Sequence, residues 1–205
     1  QTCALPIYLV IGSTSDSDGF RTDGRLEVGA NTVILLDRNQ AELGSLTTIG
    51  TNQPGTLHSD YGFILEFGDN LEGFGTIETL QGDSGGPLIN NGNITGNSSE
   101  QPITINTKVK GVGTFDHVVM NGEFTPGFSP ALWKSGTVTY TDLNRFVIEL
   151  GGRLAGSEFD RVEHYLAKLG GTLDVQLIDG FKPLLGDLFE IGRHTSELQS
   201  RQYLV

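Results

Sequence analysis

The sequence predicts an all-β protein in which short strands stack into a solenoid, and three observations carry that expectation. Val, Ile, Thr and Phe occur in short runs separated by Gly, Asn, Asp and Ser, with 29 glycines in 205 residues and only 19% charged residues. Such punctuation belongs to strands and tight corners. Stretches such as "GFILEFGDN" (62–70) alternate Phe63, Leu65 and Phe67 against Ile64 and Glu66, the period of a half-buried strand. An approximate internal repeat is the third signal: "EGFGTIE" (72–78) matches "KGVGTFD" (110–116), and each is followed by a related block, "NGNITG" (91–96) and "NGEFTPG" (121–127). Repeats tens of residues apart indicate stacked units sharing one continuous core.

Taken along the chain, "GRLEVGANTVILLDRNQAELGSLTTIG" (24–50) reads as short strands with Gly and Asn breaks. The step from Gly73 to Asn91 exceeds the step from Gly111 to Asn121 by the length of "QGDSGGPL", so residues 81–88 read as a loop insertion between two strands. Residues 8–127 are thus assigned to the repeats. Residues 128–190 are read as a continuation of the solenoid or a C-terminal β cap: "FVIELGG" (146–152) continues the pattern, and "GGTLDVQL" places Leu173, Val175 and Leu177 on one side. Within "RVEHYLAKLGG", Val162, Leu166 and Leu169 also fit helical spacing, so 160–169 is left open between strand and short helix.

"QTCALPI" (1–7) and "HTSELQSRQYLV" fit neither texture and look like translated sequencing adapters, so 1–7 and most of 191–205 are expected to be foreign to the fold. Cys3, the only cysteine, falls in the first of these. Stability must therefore come from the core and the backbone ladders, and thiolate catalysis or Cys-based zinc sites are not expected.

A formal charge of -12 and a pI near 4.6 argue against a nucleic-acid partner, which requires clustered Lys and Arg. No apolar run is long enough to span a bilayer, and no secretory leader is visible in the sequence. The carboxylates read as a solvated exterior, with Asp16 and Asp18 in "SDSDG" as the one calcium-like pair.

"GDSGGP" (82–87) resembles the signature around the nucleophile of chymotrypsin-like serine proteases, which would make Ser84 the nucleophile. "GDSGGPLINNGNITG" is likewise similar to the nucleophile segment of periplasmic heat-shock serine proteases. That chemistry needs a histidine base, a carboxylate behind it and oxyanion donors. His58 is the only upstream histidine, but "GTLHSDYG" lacks the small-residue strand context of that family's base, and too little chain precedes Ser84 for a first barrel. His117, His164 and His194 follow in the wrong order. The favoured expectation is therefore no catalytic residue, with Ser84 and His58 as the protease alternative.

Histidines 58, 117 and 164 show no metal-ligand spacing, and no metal or cofactor is expected. Glu66, Asp69 and Glu72 are the carboxylates to consider for a polysaccharide-binding or polysaccharide-cleaving surface, against the plainer reading that they face water. Trp133 could stack on a sugar; packing at a solenoid turn is the simpler account. "NIT" and "NSS" satisfy the glycosylation pattern, which is uninformative by itself.

As a set, "NLEGFGTIE", "PLINNGNITGNSSEQPIT", "VKGVGTFDHVVMNGEFTPGFSPAL", "VIELGG", "GSEFD" and "LGGTLDVQLIDGFKPLLGDLFEI" resemble the repeat regions of large bacterial surface or secreted proteins. They are similar to autotransporter passengers, including those on proteins with a PEP-CTERM sorting signal. The resemblance implies a right-handed β-helix of pectin-lyase-like architecture, exported to the cell surface or beyond, serving as a non-enzymatic stalk or adhesin-like element. It implies neighbouring repeats as partners, with extracellular glycans or cell-surface components outside. The chain departs from the resemblance at "LQGDSGGP", where a short Asp/Pro-rich linker is expected.

Overall fold

A computed structural model describes residues 8–12, 20–36, 39–80, 85–194 and 202–204, with side chains described over 20–35, 39–80 and 85–192. Every regular element among them is a strand. After β1 (Tyr8–Gly12), the chain makes turns of three strands, each turn resting on the one before. The first turn is β2 (Arg25–Gly29), β3 (Thr32–Leu36) and β4 (Ala41–Leu43), and the second is β5 (Leu46–Ile49), β6 (Gly55–Ser59) and β7 (Phe63–Leu65). Next come β8 (Asn70–Gly73), β9 (Gly75–Glu78) and β10 (Leu88–Asn90), followed by β11 (Asn93–Gly96), β12 (Ile103–Asn106) and β13 (Val109–Lys110). The last three-sided turn is β14 (Thr114–Asp116), β15 (Val118–Met120) and β16 (Glu123–Phe124).

Each turn contributes one strand to each of three parallel sheets. The third sheet runs β14-β11-β8-β5-β2, the first carries β3-β6-β9-β12-β15 in series, and the second carries β16-β13-β10-β7-β4. The protein is a β-solenoid, with an architecture consistent with a right-handed β-helix. Parallel pairing from turn to turn satisfies the backbone donors and acceptors along the stack.

Period two along each strand becomes columns across the turns. In the first sheet Val33, Leu57, Ile77, Ile105, Met120 and Tyr140 occupy successive register positions, all buried. In the second, Ala41, Phe63, Leu88, Val109 and Phe124 do the same. Burying such side chains contributes about 1.5–3 kcal/mol each before the entropy of ordering the chain is set against it.

Beyond β16 the cross-section changes from three sides to two. β17 (Leu132–Tyr140) and β19 (Arg161–Lys168) are long strands of the first sheet, while β18 (Arg145–Leu150) and β20 (Thr172–Leu177) extend the second. β21 (Phe189–His194) pairs with β19, and β22 (Gln202–Leu204) closes that sheet antiparallel. At the transition the rings of Phe115, Phe124 and Trp133 meet with centroids 4.7–6.3 Å apart, and Tyr140 stacks on Phe146 at 5.3 Å. These large rings fill the space where the third sheet stops.

The open choice at 160–169 resolves as a strand, with Val162 and His164 buried. Two details of the alternation differ from expectation. Phe67 is 92% exposed, because β7 ends at Leu65 and the chain turns through Gly68 at a φ of 91°. Leu173 and Leu177 keep the predicted side but are exposed, since β20 is the last strand of its sheet. The sequence repeat also proves to be a corner motif and not a whole turn: "EGFGTIE" rounds the corner from the third sheet to the first, whereas "KGVGTFD" rounds the one from the second to the third. Of the ends expected to be foreign, 1–7 and 195–201 lie outside the described residues, as does the pair Asp16 and Asp18. Ile191 is buried, and 192–194 pair with Val162–His164.

Candidate functional site

The corner between β9 and β10 carries the protease-like hexapeptide. Residues 79–87 make that connection, compared with 60–62 between β6 and β7 and 107–108 between β12 and β13. Residues 81–84, Ser84 among them, lie outside the described residues; Leu88, read as the end of the insertion, is the buried first residue of β10. Two glycines of the motif, Gly85 and Gly86, have a packing reason. A Cβ on Gly86 would fall 1.7 Å from the backbone oxygen of Tyr61, and one on Gly85 would fall 1.9 Å from that of Leu80. The Gly86 N–H donates to Asp60 O at 3.2 Å, and Pro87 O accepts from the Phe63 N–H at 3.0 Å. Close approach of the preceding turn at Gly86, and of the corner's own backbone at Gly85, thus demands glycine at these two positions.

His58 stands in β6 on the outer side of the first sheet, one turn from its register partner Glu78. Its Nδ1 lies 3.3 Å from Glu78 Oε1 and its Nε2 lies 2.9 Å from Asp60 Oδ1. A triad histidine turns one nitrogen to a carboxylate and keeps the other for the nucleophile. Here both nitrogens face carboxylates, an arrangement suited to holding a corner and unsuited to taking a proton from a hydroxyl.

The other carboxylates considered from sequence do not assemble. Asp69 Oδ2 accepts the Glu66 N–H at 3.2 Å and so closes the turn after β7, while Glu72 stands exposed on β8. His117 forms a single-residue corner at a φ of 50° beside Asp116, whose carboxylate accepts the Thr137 N–H at 2.7 Å. Among the described residues no group of three or more His, Cys, Asp or Glu side chains is placed to hold a metal ion. Trp133 is buried and its Nε1–H donates to Gly113 O at 2.7 Å, so its ring is closed to a sugar.

Sequence reasoning missed a polar network inside the two-sided region. Ser135 Oγ lies 2.5 Å from His164 Nδ1, and Tyr140 Oη lies 3.3 Å from His164 Nε2. Burial pushes the Tyr140 phenol well above its usual range. Although Ser135 and His164 form a hydroxyl–imidazole pair, His164 is 5% exposed and its ring packs against Trp133 and Tyr140. Alternation along β19 places His164 inward, whereas β17 changes phase between Ser135 and Val138, so that Trp133 and Tyr140 are both buried; their meeting across two strands had no local signature.

Asp160 is another buried polar group there. It accepts the Ala131 and Glu149 N–H groups at 2.9 and 2.7 Å, and burial raises its pKa to about 6 against the pull of those two donors. Its role is to fasten backbone. No helix among the described residues is long and apolar enough to cross a membrane. Comparison with family models, with curated proteins and with solved structures returned no match.

Proposed function

We propose that this chain is a non-enzymatic, adhesin-like or stalk segment of a bacterial β-solenoid protein that is secreted or held at the cell surface. The observation that carries the reading is the unbroken stack itself. Its interior is filled by aliphatic and aromatic columns, and its strands are paired turn to turn from β3 to β19. A rod of this kind presents long lateral faces without moving parts, which suits display.

The occupied ring of His58 and the packing role of Gly85 and Gly86 support the non-enzymatic side of the reading. The test has two arms. Displayed on an otherwise non-adherent bacterial cell, the segment should increase retention on a cell or matrix surface; retention equal to that of the bare cell removes the adhesin role. Incubated with a fluorophosphonate probe, the protein should stay unlabelled. Labelling that disappears in both Ser84→Ala and His58→Ala would establish a serine hydrolase instead.

A further inference from the structure

The first and second sheets meet at a corner whose length differs from turn to turn. Two residues make it at 107–108 and two at 121–122, whereas nine make it at 79–87 and four at 141–144. Short corners between long ones leave a trough. It has a volume of about 580 Å3, with Leu80 on one wall and Leu143 on the other, 44% and 77% exposed. From wall to wall it spans three turns, ~14 Å at the usual strand spacing, the length of roughly three pyranose rings.

The floor is made of side-chain amides and hydroxyls. Asn121 Nδ2 donates to Asn106 Oδ1 at 2.7 Å, and Thr141 Oγ1 donates to Asn121 Oδ1 at 2.8 Å, so a polar ladder crosses three turns. This ladder uses one N–H of the Asn121 amide, which carries two. The backbone beneath is engaged: Asn121 N–H donates to Ile105 O, Lys108 O accepts from Leu88 N–H, and Gly122 O accepts from Arg145 N–H. A peptide seeking a free strand edge finds none on this floor. Among the described residues of the lining, Lys108 and Glu123 contribute one charge of each sign, so this lining carries no formal net charge and favours neither a polyanion nor a polycation.

We infer that this corner trough is a binding site for a short stretch of neutral polysaccharide. Its hydroxyls would pair with the amide ladder, and its C–H faces would rest on Leu80 and Leu143. The volume lies within the usual range of small-molecule sites. The inference goes beyond the display role and does not depend on it. It implies no cleavage, because Glu123 is the one carboxylate among the described residues lining the trough and is held by Arg145 at 2.5 Å.

The experiment titrates the intact chain with maltotriose, cellotriose, xylotriose and chitotriose, with a trigalacturonate for comparison, followed by saturation-transfer NMR. At least one neutral trisaccharide should bind saturably with a millimolar dissociation constant. Leu143→Arg and, at the opposite wall, Leu80→Arg should each weaken it by about tenfold or more, roughly 1.4 kcal/mol, with the circular dichroism unchanged. Both positions are exposed, so at least one variant is expected to fold. Absence of saturable binding by all four neutral sugars, preference for the trigalacturonate, or binding undiminished in the folded variants would overturn the assignment.

Discussion

The carboxylate of Asp160 accepts the backbone N–H of Ala131 at 2.9 Å, tying the chain just before β19 to the chain just before β17. The second oxygen takes the Glu149 N–H at 2.7 Å, so one buried side chain joins three segments of the two-sided region. Burial nevertheless raises its pKa from 3.8 to about 6. In that interval the native state holds more protons than the unfolded chain. This residue's contribution to stability therefore falls as pH rises from about 4 to about 6 and is flat above, a change of about 2–3 kcal/mol. Asp160→Asn should remove that slope. At neutral pH it should also cost about 1–3 kcal/mol, because an amide NH2 meets one of the two N–H donors. Urea midpoints of both proteins at pH 4, 5, 6 and 7 check this; parallel profiles would refute it.

Thr47 occupies the interior column Leu26, Thr47, Leu71, Ile94, Phe115, fully buried, and its hydroxyl has no hydrogen-bond partner. Thr47→Val keeps the branched shape that β5 accommodates and removes the orphaned hydroxyl. It should stabilise the protein by about 1 kcal/mol, seen as a higher denaturation midpoint with an unchanged slope. A loss of stability would mean that the hydroxyl is satisfied in solution.

Gly86→Ala should destabilise by about 2 kcal/mol or more, since the added methyl meets the backbone oxygen of Tyr61 rather than a movable side chain. Gly24→Ala is the control: its nearest neighbour lies 4.0 Å away, and the change should be close to neutral. Equal midpoints for the two variants would contradict the packing explanation of the hexapeptide.

Trp133 is the single tryptophan of the chain and sits where three sides become two. Native emission should therefore be blue-shifted and move to the red when the region opens. Trp133→Phe removes the bond to Gly113 O and part of the ring contact, at a cost of about 1–3 kcal/mol. Red emission from the native protein would place this ring in water.

Much of the fold was legible because each strand announces itself locally. Phe63 and Leu65, or Leu173 and Leu177, alternate whatever their neighbours do. What lay outside local reading was which turn each stretch rests on. The match between 72–78 and 110–116 reflects the demands of a tight corner, so it recurred at different corners. Phe67 broke the alternation because a turn at Gly68 intervened. Contacts across turns were invisible for the same reason. His58 meets Glu78 over 20 residues and Ser135 meets His164 over 29, separations fixed only once every corner length is known. The trough arises from differences among four corners, which no single stretch contains.

The parallel ladder of the first sheet also determines how the protein yields under load. Pulled by its two ends, the chain peels from the ends, because each strand is bonded to the turns above and below it and the corners are covalent. Extension should proceed as a sawtooth, each tooth releasing one coil, and the aromatic plug around Phe124 should mark the highest force.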